Sequence, residues 1–197
     1  LVTAHRNAEF RDALNSADAA TIDGTGIIFV AKILGERLRR SDRFTGVELT
    51  ASLLRHAEQH SHAVCIVRKK DSLTSVEALQ KMLRDRYPRL EARILTEPVS
   101  TDEINLTKAA IVLLTLGSPG QDLWIHHNKA KLPSVRIAVG IGGTFDLLSG
   151  TLMRAPRSMQ TLGIEWLWRL ILEPKRIKRI LRAVIVFPYL ALTHRKN

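Results

Sequence analysis

Cysteine is almost absent from these 197 residues: Cys65 stands alone, so no disulfide forms within the chain and a small disulfide-stapled scaffold is excluded. That thiol lies in the apolar run Ala63-Val64-Cys65-Ile66-Val67, which reads as a buried strand in a reducing compartment. Aromatic residues are scarce, at 5%, and the chain carries neither a glycine-aromatic RNA motif nor a zinc-finger spacing. Nucleic acid is therefore the weakest partner for a net charge of +11, and anionic lipid or phosphorylated substrates suit it better. No apolar run reaches the roughly 18 residues of a spanning helix, and no signal sequence opens the chain, so the expectation is a protein kept on the cytoplasmic side.

Acid is missing altogether from residues 175–197, where Lys175, Arg176, Lys178, Arg179, Arg182, Arg195 and Lys196 stand unopposed. Among them, Ala183 to Leu192 is almost purely apolar. It is too short to cross a bilayer but suits the interface of an anionic membrane, the alternative being a buried C-terminal helix.

The rest of the chain suits one domain of ordinary size with a substantial Ile, Leu and Val core. Residues 1–17 carry apolar positions at amphipathic helical spacing, and Ala19 to Ile22 reads as a short strand. Asp23-Gly24-Thr25-Gly26 follows it, ahead of an apolar-periodic helix over Ile27 to Leu38. Strand, glycine turn and helix is the layout of a phosphate or sugar-nucleotide site. Helices are expected at Val47 to Glu58, Ser75 to Tyr87 and Asp122 to Lys129. Strands are expected at Ala63 to Val67, Arg93 to Thr96, Ala109 to Leu116 and Val135 to Gly140. Wholly apolar strands alternating with helices predict an α/β fold with a Rossmann-like, mainly parallel sheet over residues 1–157. From Ser158 the pattern turns helical, with breaks expected at Pro174 and Pro188, giving a helical membrane-binding appendage over 158–197.

In an open parallel sheet, ligands sit beyond the carboxyl ends of the strands. Three glycine turns are expected there: Asp23 to Gly26, Gly117 to Gln121 and Gly140 to Asp146. Gly24 and Gly26 would let a ligand approach the backbone. Asp23 and Asp146 could each take a proton from an attacking hydroxyl, or each could cap the following helix. Gln121 could bond a uracil edge or a sugar hydroxyl, or sit exposed in the first turn of its helix. His56 and His60 have the i, i+4 spacing of a metal pair, but no carboxylate or cysteine completes a site, and no metal is expected. Trp166 and Trp168 would line a helix packed on the domain or on lipid.

Six motifs occur in order: AD-x4-DGTG at Ala17 to Gly26, RFTG at Arg43 to Gly46, GSPGQD at Gly117 to Asp122, GGTFD at Gly142 to Asp146, RAP at Arg154 to Pro156, and LGIEWLWRL-x3-PKR at Leu162 to Arg176. In that combination the chain resembles the WecG/TagA/CpsF glycosyltransferases, glycosyltransferase family 26, across nearly its whole length. The resemblance implies inverting transfer of an N-acetylhexosamine, of N-acetylmannosamine type, from a UDP-sugar donor to a polyprenyl-diphosphate-linked acceptor sugar in bacterial cell-surface polysaccharide synthesis, without an essential metal. It makes Asp23 the match to the family's catalytic base and Arg43, Gln121 and Asp146 matches to its pocket residues. It also implies a peripheral membrane enzyme whose appendage brings Arg169, Arg176 and Arg179 over the site to clamp the donor diphosphate. Some relatives form oligomers, so a homo-oligomer is a further expectation.

The family begins with a strand and a Thr-x-Asn element, expected ahead of Leu1. Relatives carry a glycine-rich loop where this chain reads Arg68-Lys69-Lys70-Asp71-Ser72-Leu73, and Asp122 stands where Glu is usual. These departures suggest an alternative: a non-catalytic relative serving as a membrane-associated binding partner.

Overall fold

The computed structural model describes residues 1–193, apart from the side chains of Thr25, Arg40 and Arg176. Arg195 and Lys196 of the basic terminus fall outside the described residues. The chain divides into two compact units: one holds Asp12–Ala17 and Gly46–Met153, the other Leu1–Arg11, Asp18–Thr45 and the chain from Arg154 onward.

The N-terminal amphipathic segment is two helices rather than one, α1 (Val2–Arg6) and α2 (Ala8–Asn15). Asn7 interrupts it. Its backbone is extended, and its Oδ1 accepts the Phe10 amide at 2.8 Å, so Asn7 starts the second helix as its cap. No strand forms at Ala19 to Ile22. Ile22 makes a single isolated bridge with Arg43, where the Phe44 amide donates to the Ile22 carbonyl at 2.9 Å, and one residue pair does not extend into a ladder. Helix α3 (Thr25–Ile33) follows and ends before the expected Leu38, because Gly35 turns the chain at φ +86°.

The sheet unit opens with α4 (Gly46–Gln59), then β1 (Val64–Arg68), α5 (Val76–Arg86), β2 (Ala92–Thr96), α6 (Thr101–Leu106), β3 (Ile111–Leu114), α7 (Gly120–Asn128), β4 (Ile137–Gly140) and α8 (Thr144–Leu148). All pairings are parallel in the order β2-β1-β3-β4, with Val64 opposite Ala92 and Ile111, and Ile111 opposite Ile137. Strand alternation sorts the core into two layers. Val64, Ile66, Ile111 and Leu113 face Leu54, Leu79, Leu83 and Phe145 on one side. Cys65, Val67, Val112 and Leu114 face Ile104, Ala109 and Leu132 on the other. The central strands β1 and β3 are buried on both faces, which is why they read as unbroken apolar runs. Cys65 is fully buried as expected, and that burial pushes its thiol up to about 11.

The chain from Ser158 is helical as expected, the first helix starting one residue earlier: α9 (Arg157–Leu162), α10 (Glu165–Leu172), α11 (Ile177–Leu181) and α12 (Phe187–Thr193). Gly163 at φ +76° closes α9, and Pro174 opens a short 3-10 turn through Arg176. Pro188 does not break the chain. Five residues of π-helix, Arg182–Val186, join α11 to α12 ahead of it. The wider turn absorbs the amide that proline lacks and the room its ring needs. Helix α12 packs against α3 in this unit.

Candidate active site

The strand order places a topological switch between β1 and β3, since the connection from β1 leads to β2 on one side and the next strand, β3, lies on the other. A ligand crevice is expected beyond their carboxyl ends. The loop after β1 and the loop after β3 meet there, with the Lys69 amide 3.4 Å from the Thr115 hydroxyl. Two of the three expected glycine turns lie at this edge, after β3 and after β4. The third, Asp23 to Gly26, follows an isolated bridge rather than a sheet strand and belongs to the other unit.

Gln121 is buried, with 6% of its surface exposed, so the exposed first-turn alternative does not hold. Its Oε1 accepts the Gly117 amide at 3.0 Å and the Gly142 amide at 3.1 Å, tying the two glycine turns together. Both glycines sit at positive φ, +82° and +54°, where a side chain is disfavoured. Gly140 is required for a different reason: a Cβ there would lie 2.3 Å from Gln121 Nε2. Nε2 itself has no hydrogen-bond partner among the described residues and is not sealed from solvent, which leaves its two donors for a ligand. Beside it, burial holds the Asp122 carboxyl above its ordinary value, against a hydrogen bond from Ser118 that draws it down.

Asp146 is also buried, at 8% exposure, in the first turn of α8. It does not cap that helix, whose cap position is Gly143. Its Oδ1 instead accepts the Thr74 amide at 3.2 Å and the Thr74 hydroxyl at 2.8 Å. Oδ2 has no hydrogen-bond partner among the described residues. Thr74 went unread in the sequence, because a lone threonine in a polar loop carries no periodic or motif signal.

The helical unit gathers a second set. Arg43 Nε donates to the Asp23 carbonyl at 2.7 Å, and its Nη1 pairs with Glu165 Oε1 at 3.2 Å. Three of the six motifs thus meet at one half-buried guanidinium, and Glu165, quoted within its motif but assigned no role, is one anchor. Asp23 stands one residue before Gly24, the cap position of α3, with its residue exposed. Gly26 faces the Ala183 carbonyl. Arg169 pairs with Glu173 one turn along α10, and Arg179 is exposed on α11. Arg176 lies in the 3-10 turn, its side chain outside what the structure describes. The rings of His56 and His60 stand 4.1 Å apart, and no group of three or more metal-ligating side chains occurs among the described residues.

A parallel sheet with a switch-point crevice, glycine turns, a buried amide and an anchored carboxylate is the framework of a Rossmann-like group-transfer enzyme, though a fold by itself does not choose the chemistry. The choice comes from sequence comparison: the model of the "Glycosyl transferase WecG/TagA/CpsF family" matches residues 1–197, so the chain belongs to that family and is a glycosyltransferase. A relative from Bacillus spizizenii (strain ATCC 23059 / NRRL B-14472 / W23) is 31% identical over 184 residues, covering 90% of this chain and 70% of its own length. That relative is an N-acetylglucosaminyldiphosphoundecaprenol N-acetyl-beta-D-mannosaminyltransferase.

Proposed function

We propose that this protein transfers an N-acetylhexosamine of N-acetylmannosamine type from a UDP-sugar to an N-acetylglucosamine carried on a polyprenyl diphosphate, with inversion, during bacterial cell-surface polysaccharide synthesis. The observation that carries the reading is the 31% identity to a named mannosaminyltransferase over 90% of the chain. The chemistry is consistent with the residues present. An acceptor hydroxyl must lose a proton as it attacks the sugar, and Asp23 is the carboxylate assigned to take it. Gln121 offers amide donors and Asp146 a free carboxylate oxygen for sugar or uracil hydrogen bonds. Negative charge grows on the departing UDP, and Arg169, Arg176 and Arg179 are the cations assigned to meet it.

A lipid-linked acceptor requires work at a membrane. No helix among the described residues is long and apolar enough to cross one. The helical unit exposes Leu181, Ile185, Tyr189 and Leu192 next to Lys178, Arg179 and Arg182. In this reading that surface lies on the anionic cytoplasmic face of the bilayer.

The test supplies the whole chain with each UDP-N-acetylhexosamine in turn, a prenyl-diphosphate-N-acetylglucosamine acceptor, and anionic vesicles, and follows the lipid product by mass spectrometry. The expected result is a lipid heavier by one N-acetylhexosamine, formed from UDP-N-acetylmannosamine. Absence of product from every donor, with folded, vesicle-bound protein, would refute the reading.

A further inference from the structure

The loop joining β1 to α5, which follows Arg68 as Lys69-Lys70-Asp71-Ser72-Leu73-Thr74, is tightly organised. The Ser72 hydroxyl and amide both donate to the Lys69 carbonyl, at 2.8 and 3.2 Å, and Arg68 Nη2 donates to the Thr74 carbonyl at 2.9 Å. The loop delivers Thr74, only 3% exposed, onto Asp146. Both donors of Thr74, amide and hydroxyl, converge on the single oxygen Oδ1.

This arrangement does two things to the carboxylate. Charge-assisted bonds from two directions hold its orientation, and concentrating them on one oxygen leaves the other for something else. With its proton directed to Asp146, the Thr74 hydroxyl can accept from Ser149, 3.2 Å away, and Ser149 lies 2.8 Å from the Thr151 hydroxyl. The three hydroxyls form a chain ending on Oδ1, and such chains polarise in one direction. Oδ2 is not among the sealed, unpartnered polar side-chain atoms of the described residues, so it keeps access to solvent and to a ligand while Oδ1 is held.

We propose that Thr74 is a positioning residue for the transfer reaction: it fixes Asp146 so that Oδ2 faces the donor sugar nucleotide and accepts a hydrogen bond from one of its hydroxyl or N–H groups. The inference rests on the reading of Asp146 as a pocket residue.

The test compares Thr74→Val, which keeps the shape and loses the hydroxyl, with Thr74→Ser, which keeps the hydroxyl and loses the methyl, alongside Asp146→Asn and the double variant Thr74→Val/Asp146→Asn. Donor KM and kcat are measured below the melting temperature of all four proteins. Thr74→Val is expected to raise the donor KM about tenfold, with acceptor KM unmoved, and Thr74→Ser to restore it. The double variant is expected to be no worse than Asp146→Asn alone, because Thr74 acts through that carboxylate. A loss that tracks the missing methyl, or additive losses in the double variant, would overturn the proposal. Should Asp146→Asn bind donor normally, the pocket reading of Asp146 itself fails. Should Asp146→Asn be impaired while Thr74→Val is normal, Thr74 alone is misassigned.

Discussion

Asp122 illustrates how a single residue can be set against the fold that surrounds it. Its carboxyl is held above its ordinary value of 3.8, chiefly by burial. Between 3.8 and the raised value the folded chain binds more protons than the unfolded one, so stability falls as pH rises through that window and the deficit persists above it. Asp122→Asn is therefore expected to melt higher than the parent at pH 7, with the advantage fading as pH drops below the ordinary carboxylate range. Melting curves at the two pH values check this. Other residues were readable only in part. Gln121 and Asp146 were marked by motif, but their burial and partners come from loops far apart in sequence, Thr74 from 72 residues upstream of Asp146 and Gly142 from 21 downstream of Gln121. Spacing along a chain cannot report such pairings.

At the scale of elements, the sheet edge is assembled by turns that fit one another. The end of β4 passes so close to Gln121 at the start of α7 that Gly140→Ala must displace the amide joining the two glycine loops. Overpacking of this kind costs about 1–3 kcal/mol, and activity is expected to fall with it. Gly120→Ala is the control: a Cβ there meets nothing within 4 Å, in a helix that favours alanine, so its melting temperature should hold or rise. The central strands β1 and β3 were legible because two-sided burial writes continuous apolar runs, and α5 has its start marked by Ser75, which caps it through the Ala78 amide. The expected strand at Ala19 to Ile22 failed because apolar character does not supply a neighbour. The expected break at Pro188 failed because a π-helix upstream accommodates the ring, and widening of that kind leaves no mark in composition.

Across the whole molecule, the basic charge is unevenly spent, with the helical unit carrying a surface of cations among exposed apolar side chains. The chain is expected to sediment with vesicles containing phosphatidylglycerol and to remain free with neutral ones. Each cation near such a surface contributes about 1 kcal/mol, so Lys178→Ala should weaken binding about fivefold, and added salt should weaken it further. The family was legible from motifs, yet the division into units was not. Residues 18–45 group with the chain from Arg154, and the Arg43 link to Asp23 and Glu165 is part of that grouping. The measurement that tests the central claim most directly is acceptor-dependent UDP release on anionic vesicles by the parent and by Asp23→Asn. Loss of a general base predicts a fall of roughly 10²–10⁴-fold in turnover with vesicle binding intact. Unchanged turnover in Asp23→Asn would contradict the account.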